Sequence, residues 1–311
     1  MPAPSSWILT EDFAGLRAQA LGLAEAAALA PEIRVLRPRG IWRRVPAAFW
    51  PAPLRAVDPP AVAPPLPEIV VGCGGKSAAL IAALRGRMRG VVIQHPRMPI
   101  RRFDLIVAGR HDELTGPNVI VSRTAMHRVT PDRLVEARAV WRPRLAHLPR
   151  PLVAVLVGGS NGRFRLDGLV GHALAERLAL MMRLDRTGLI VTPSRRTDPA
   201  VTHALAATLR PLGAEVWDGS GENPYFGMLA VADLIVVTAD SVSMLSEAVA
   251  TAAPVMSYAL PGHSRRQQLF VQGLIDDRRV RAYQGRFDHW PVAPLDDTPA
   301  AAGEMRRRFG F

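Results

Sequence analysis

The chain has 311 residues, enough for two domains of ordinary size, and 49% of them are hydrophobic, as a globular core requires. Its formal charge of +12 is carried by arginine, with Lys76 the only lysine, and Ala and Pro are abundant; that is the mark of a GC-rich genome, and with no DNA or RNA motif present the charge does not argue for a nucleic-acid partner. Cys73 is the only cysteine, which excludes an intrachain disulfide framework and a cysteine-based zinc site and points to a reducing compartment.

Short Val/Ile/Leu runs alternate with Ala/Leu/Arg segments of helical period almost end to end, which predicts α/β units rather than a bundle or sandwich. Residues 1–6 lack a basic stretch followed by an apolar one, and no run reaches the roughly 20 apolar residues of a membrane span. Residues 7–10 read as a strand, Glu11-Asp12-Phe13-Ala14-Gly15 as a turn and 16–29 as a helix. Further strands are expected at 33–36, 68–71, 91–94 and 105–107. Between them, 38–67 is dense in proline and carries Arg39, Trp42, Arg43, Arg44, Phe49, Trp50 and Arg55, so a long regular element is not expected there. Two readings of 38–55 stand open. It forms a surface for anionic lipid headgroups with Trp42 and Trp50 at the interface, or its aromatics pack on their own domain.

Prolines at 143, 149 and 151 interrupt the pattern near 141–151 and mark a domain boundary. The second half repeats the plan, with strands at 152–157, 189–191, 215–217 and 234–237. Each runs into a polar loop, and in an open parallel sheet those loops gather at the carboxyl edge, where ligands bind. The first offers Gly158, Gly159 and Ser160, whose backbone N–H groups can approach a phosphate. The second offers Ser194, Arg195, Arg196 and Thr197, hydroxyls and charge for the same anion. Asp218 and Asn223 in the third can frame a base. The fourth carries Asp240, Ser241 and Ser243 with Met244 beside them, the start of a helix at about 246–249 whose N-terminus is an anion site. Glu247 follows, able to accept the two hydroxyls of a ribose, although a capped helix start with an acidic residue is also ordinary structure.

Rival motifs fail. Gly74-Gly75-Lys76-Ser77 has the ending of a phosphate loop, but that motif needs a glycine where Val70 stands. There is no Gly-x-Ser-x-Gly elbow and no His-x-x-x-His pair, and Cys73 fits a small buried residue better than a nucleophile.

Ala239-Asp240-Ser241-Val242-Ser243-Met244-Leu245-Ser246-Glu247-Ala248, with Ala253-Pro254-Val255 and the segment from Pro261 to Gln267, resembles the donor half of GT-B glycosyltransferases such as the peptidoglycan N-acetylglucosaminyltransferase. Over nearly the whole chain, Phe103-Asp104-Leu105-Ile106-Val107, His111-Asp112, Leu114 to Val119, His127-Arg128-Val129-Thr130, Val191 to Thr197 and Thr238 to Met244 resemble bacterial members of the mitochondrial-fission (elongated mitochondria) family. The resemblance implies an α/β, GT-B-like fold of two Rossmann-like domains whose parallel sheets face a central cleft. It implies that Glu247 binds the donor ribose, and that a terminal helix near 298–309 packs back across the domains. The first loop departs from the family pattern, since Leu16 stands where a polar residue is usual.

The expected organisation is an acceptor domain at 1–147, a nucleotide-sugar domain at 148–284 and a terminal segment at 285–311. The expected function is a glycosyltransferase using a nucleotide-activated sugar, with a lipid-linked or envelope-related acceptor and neither cofactor nor metal. Glu11, Asp12 and His95 are the candidate bases. A non-catalytic GT-B-like scaffold at the membrane and a nucleotide-sugar epimerase are the alternatives. The expected compartment is the cytoplasm, with a peripheral position at the inner membrane.

Overall fold

The computed structural model describes residues 3–311, so the first two positions of the segment read for a leader lie outside it. It divides into two compact units, one running to Arg128 and completed by Asp296–Phe311, the other Val129–Leu295.

The first unit holds β1 (Ser6–Thr10), α1 (Ala14–Ala26), β2 (Glu32–Val35), β3 (Ile69–Cys73), α2 (Gly75–Leu84), β4 (Arg89–Ile93), β5 (Leu105–Gly109) and β6 (Val119–Ser122). Its six strands lie side by side in the order β2-β1-β3-β4-β5-β6, all parallel. The second unit holds α3 (Pro131–Arg144), β7 (Leu152–Val157), α4 (Gly168–Asp185), β8 (Gly188–Pro193), α5 (Pro199–Leu209), β9 (Glu215–Val216), α6 (Tyr225–Val231), β10 (Leu234–Thr238), α7 (Val242–Val249), β11 (Val255–Tyr258), α8 (Arg265–Asp276) and β12 (Val280–Ala282). Its sheet is also six-stranded and parallel, in the order β12-β11-β10-β7-β8-β9. The last helix, α9 (Thr298–Phe309), belongs to the first unit.

Both sheets are covered on two faces, and this is why their inner strands are apolar throughout rather than alternating. Every residue of β7 and β10 is buried. Successive residues of β7 serve opposite cores: Val153, Val155 and Val157 pack with Leu174 of α4 and Leu205 of α5. Leu152, Ala154 and Leu156 pack with Met228 of α6, Leu245 of α7 and Phe270 of α8. In the first unit, Trp7 and Leu9 face α2 and the proline-rich segment, while Ile8 faces α1 and α9.

Several expectations are corrected. The units divide at 128/129 rather than near 147, because α3 packs on α6 through Leu134 and Trp141. Residues 285–295 stay with the second unit, where Trp290 and Leu295 join its cores, and only 296–311 returns to the first. Helix α1 starts two residues early and ends at Ala26. Helix α7 starts at Val242, because the Ser241 hydroxyl accepts the N–H of Met244 at 3.3 Å and caps it there. Strands β6, β11 and β12 had no counterpart among the predicted strands. Over 38–67 only short 3-10 turns form, as the prolines require. In that segment Trp50 is buried and donates its indole N–H to the Val45 carbonyl at 3.0 Å, and Trp42 packs edge-on against it at 6.3 Å. Trp50 therefore stabilises its own domain, with half-buried Trp42 packed against it.

Candidate functional site

In the second sheet the chain first grows from β7 through β8 to β9, then crosses to the other side of β7 and grows through β10 to β12. The loops that follow β7 and β10 consequently part company at a switch point on the carboxyl edge. Gly158, Gly159 and Ser160 leave β7 there, and Ala239, Asp240 and Ser241 leave β10.

The loops are knit together by a buried carboxylate. Asp240 accepts the Thr238 hydroxyl at 2.7 Å, the Gly159 N–H at 3.1 Å and the Arg196 guanidinium at 3.1 Å, and its side chain is fully shielded from solvent. The Gly158 N–H is donated to Thr238 Oγ1 at 2.7 Å. Both glycines are required by this closeness. A Cβ on Gly158 would stand 2.2 Å from Asp240 Oδ1, and one on Gly159 would stand 2.2 Å from the backbone oxygen of Arg196. The two amides thus serve the loop itself. In the loop after β8, the Thr197 hydroxyl accepts the N–H of Ser194 at 2.8 Å and bonds the Gly158 carbonyl, which ties this loop to the first. Arg196 is committed to Asp240, whereas exposed Arg195 has no partner among the described residues. Ser160 is engaged with the backbone of Leu166, its hydroxyl accepting that N–H at 2.8 Å. Gln267, at the start of α8, donates to the Ala239 carbonyl at 2.6 Å and fixes the loop from the other side.

Glu247 lies in the second turn of α7, 9% exposed, and its Oε2 accepts the Tyr225 hydroxyl. Burial pushes the Glu247 carboxyl up to about 7, against the lowering effect of the tyrosine hydrogen bond. Tyr225 is held well above its ordinary value by burial first and by the Glu247 charge second. This bond also joins the third loop to the site, since Tyr225 opens α6. Within that loop, Asp218 accepts the N–H and hydroxyl of Ser220 at 2.9 and 2.6 Å, and Asn223 accepts the Tyr225 N–H at 2.9 Å. The Ser220 contacts hold the Asp218 carboxyl below its ordinary value.

The site therefore gathers Gly158, Gly159, Ser194, Arg196 and Asp240 into one hydrogen-bonded edge, with Ser241 capping α7 and Glu247 behind it. Asp218 and Asn223 are bonded only within their own loop. Sequence reasoning missed Thr238, Tyr225 as the partner of Glu247, and Gln267 as a brace. The signals for the first were its place at the end of a switch-point strand and in the stretch Thr238 to Met244 that carries the family resemblance.

The candidate bases lie in the first unit, after β1 and β4. Glu11 is ion-paired to Lys76 at 2.6 Å and Asp12 to Arg17 at 2.6 Å, while His95 Nδ1 accepts the Arg97 N–H at 2.9 Å. Among the described residues no three His, Cys, Asp or Glu are grouped to hold a metal, and no helix is long and apolar enough to cross a membrane.

Two of the solved structures that share this architecture illustrate it. UDP-GlcNAc 2-epimerase of Methanocaldococcus jannaschii, in complex with UDP-GlcNAc and UDP, superposes with a TM-score of 0.58 at 11% identity, covering 97% of this chain and 98% of that one. MurG of Acinetobacter baumannii gives 0.51 at 15% identity, covering 99% and 92%. The fold is the GT-B-like α/β fold of glycosyltransferases and epimerases. Within that class, residues 14–309 match the mitochondrial fission ELM1 family, and the chain belongs to it. It is 31% identical over 277 residues to the mitochondrial fission protein ELM1 of Arabidopsis thaliana, a match covering 78% of this chain and 64% of that relative. The chain thus spans less than two thirds of the plant protein's length.

Proposed function

We propose that the second unit binds a nucleotide-activated sugar at its β7/β10 edge, and that the protein is a GT-B-type glycosyltransferase for a lipid-linked or envelope-related acceptor. The observation that carries this reading is Glu247, a carboxylate buried beside the switch point with one oxygen given to Tyr225. Its second oxygen, Oε1, is the acceptor for ribose hydroxyls. Arg195 and the start of α7 stabilise the diphosphate as it leaves, which lets the reaction proceed without a metal. The base for the acceptor hydroxyl comes from Glu11, Asp12 or His95, of which His95 keeps Nε2 outside its bond to Arg97.

The test is ligand binding by thermal shift with uridine, guanosine, cytidine and thymidine diphosphates and their sugar conjugates. At about 100 times its dissociation constant the true ligand adds roughly 2.7 kcal/mol of stability. One nucleotide should stabilise the wild type and not Glu247→Ala; no response to any removes the donor site.

A second reading, a binding or scaffold protein that keeps the donor site without transfer, is favoured by the cations already held on Glu11 and Asp12. Product analysis separates the readings, since transfer releases a nucleoside diphosphate, epimerisation inverts the sugar and a scaffold does neither. For the membrane surface, the 38–55 segment presents Ile41 and Phe49, 70% and 75% exposed, among exposed Arg39, Arg43 and Arg44. Flotation with anionic vesicles should be lost in Ile41→Ser/Phe49→Ser; retention in that variant rules the surface out.

A further inference from the structure

Helix α3 is unusual in this chain because none of its residues is fully buried. It is held by Trp141, whose ring lies where a Cβ on Gly227 would fall, 2.1 Å from Cγ, and by Leu134. Another stripe of the helix, Val135, Arg138 and Arg142, runs beside that contact at the spacing of one helix side, with Arg138 next to Leu134. Val135 is 69% exposed. Arg138 and Arg142 are an i, i+4 pair of like charge, an arrangement that destabilises a helix, and neither has an ion-pair or hydrogen-bond partner among the described residues.

The stripe borders a cavity of about 540 Å³ whose lining is Arg138, Arg142, Arg150, Pro151, Val231 and Asp233. Pro151 and Asp233 immediately precede β7 and β10, so this is the amino edge of the sheet, opposite the edge that carries Glu247. The one carboxylate, Asp233, is already bonded to the Leu152 N–H at 2.7 Å and to Arg150 at 2.9 Å. Three guanidinium groups against one carboxylate leave two positive charges uncompensated. A second hollow of about 420 Å³ adjoins it, sharing Arg138, Pro151 and Asp233 and floored by Leu134, Leu229, Ala253 and Pro254.

We infer that this back groove of the second unit is a binding site for a phosphate monoester bearing an apolar tail. A phosphate monoester carries close to two negative charges at neutral pH and matches the forked donors of arginine, and the adjoining apolar hollow takes a short hydrocarbon chain. Such a ligand removes the repulsion between Arg138 and Arg142 and would steady a helix that the core holds only through Leu134 and Trp141.

Octyl phosphate is the probe, titrated by calorimetry into the full chain beside inorganic phosphate and octanol. Octyl phosphate should bind the wild type and Glu247→Ala alike, and its affinity should fall at least tenfold in Arg138→Gln/Arg142→Gln, whose exposed positions leave folding intact. Val135→Asp, which sets a charge beside the groove, should weaken it independently. Equal affinity in the double variant would overturn the inference, as would loss in Glu247→Ala, which would place the ligand at the nucleotide edge. Inorganic phosphate binding as tightly as octyl phosphate would also overturn it, since the apolar hollow would then have no part.

Discussion

A carboxyl group buried at the edge of a sheet gives up solvation when it ionises, and Glu247 carries that cost at the centre of the donor site. Its pKa is raised from 4.5 to about 7 by burial. Between those values the folded chain holds a proton that the unfolded chain has released. Stability therefore falls as pH rises from about 4.5 to about 7 and is level above, the loss amounting to about 3 kcal/mol at about 1.4 kcal/mol per unit. Glu247→Gln, which still offers the Tyr225 hydroxyl an acceptor, should raise the melting temperature at pH 8 and hardly change it at pH 5, as calorimetry at the two values will show. The same titration governs the proposed ligand. The carboxylate accepts ribose hydroxyls through charge-assisted bonds that protonation weakens, so nucleotide affinity should weaken as pH falls through about 7, and a flat profile from pH 6 to 8 would count against Glu247 as the acceptor. Glu247 and the Ser241 cap were legible in the sequence because a capped helix after an apolar strand is a local pattern. The role of Asp240 was not. Its partners, Gly159 and Arg196, stand on other loops, and nothing local distinguishes an aspartate that binds a ligand from one that knits loops.

Elements declare themselves through periodicity, but the surfaces on which they meet do not, and the glycines show the difference. Gly22 in the middle of α1 looks like a weak point of a helix, where alanine ordinarily gains about 1 kcal/mol. In the fold, a Cβ there would stand 2.2 Å from the carbonyl oxygen of His127, a backbone atom that cannot swing aside. Gly22→Ala should therefore destabilise the first unit by about 1–3 kcal/mol, the ordinary range for overpacking, in spite of the propensity gain. Gly303 in α9 has nothing within 4 Å of the added atom, and Gly303→Ala should stabilise by up to about 1 kcal/mol. Urea denaturation of the two variants reads the opposite signs directly, and equal signs would mean that α1 does not lie against the 127 backbone. The strands were legible for a related reason. A parallel strand buried on both faces is an unbroken apolar run, and β7 and β10 have one. Strand β6 escaped because two of its four residues are not buried, and β11 and β12 because runs of four and three residues are too short to stand out.

At the scale of the whole chain, the two units differ in how their sequence is laid down, and that difference is testable. The second is a single stretch, Val129–Leu295, whose two cores and six-stranded sheet use no residue from outside it. The first is interrupted, since its second core requires Ala301, Ala302, Met305 and Phe309 of α9 beside Ile8, Ala20, Leu23 and Met126. The start of α9 is fixed by Asp297, ion-paired to Arg123 at 2.6 Å; burial pushes the Asp297 carboxyl up, but its contacts with Arg123 outweigh that and hold it below its ordinary value. Periodicity was enough to place a helix at 298–309, but not to say where it docks, because its apolar side would suit any core. Losing one buried Met or Phe side chain costs about 2–5 kcal/mol, and α9 supplies both to a domain whose total stability is on the order of 5–15 kcal/mol. A chain ending at Leu295 should therefore lose the cooperative unfolding of its first unit. The fragment Val129–Leu295 should fold alone, keep its own transition and retain whatever nucleotide the full chain binds. Calorimetry and amide spectra of the two truncations decide this. If the chain ending at Leu295 unfolds in both units together, the second unit draws stability from the first and the division of cores described above is wrong. If the second transition survives unchanged, the donor edge belongs to a self-sufficient domain, and variants of Glu247 can be studied there without any effect on the unit that carries Glu11, Asp12 and His95.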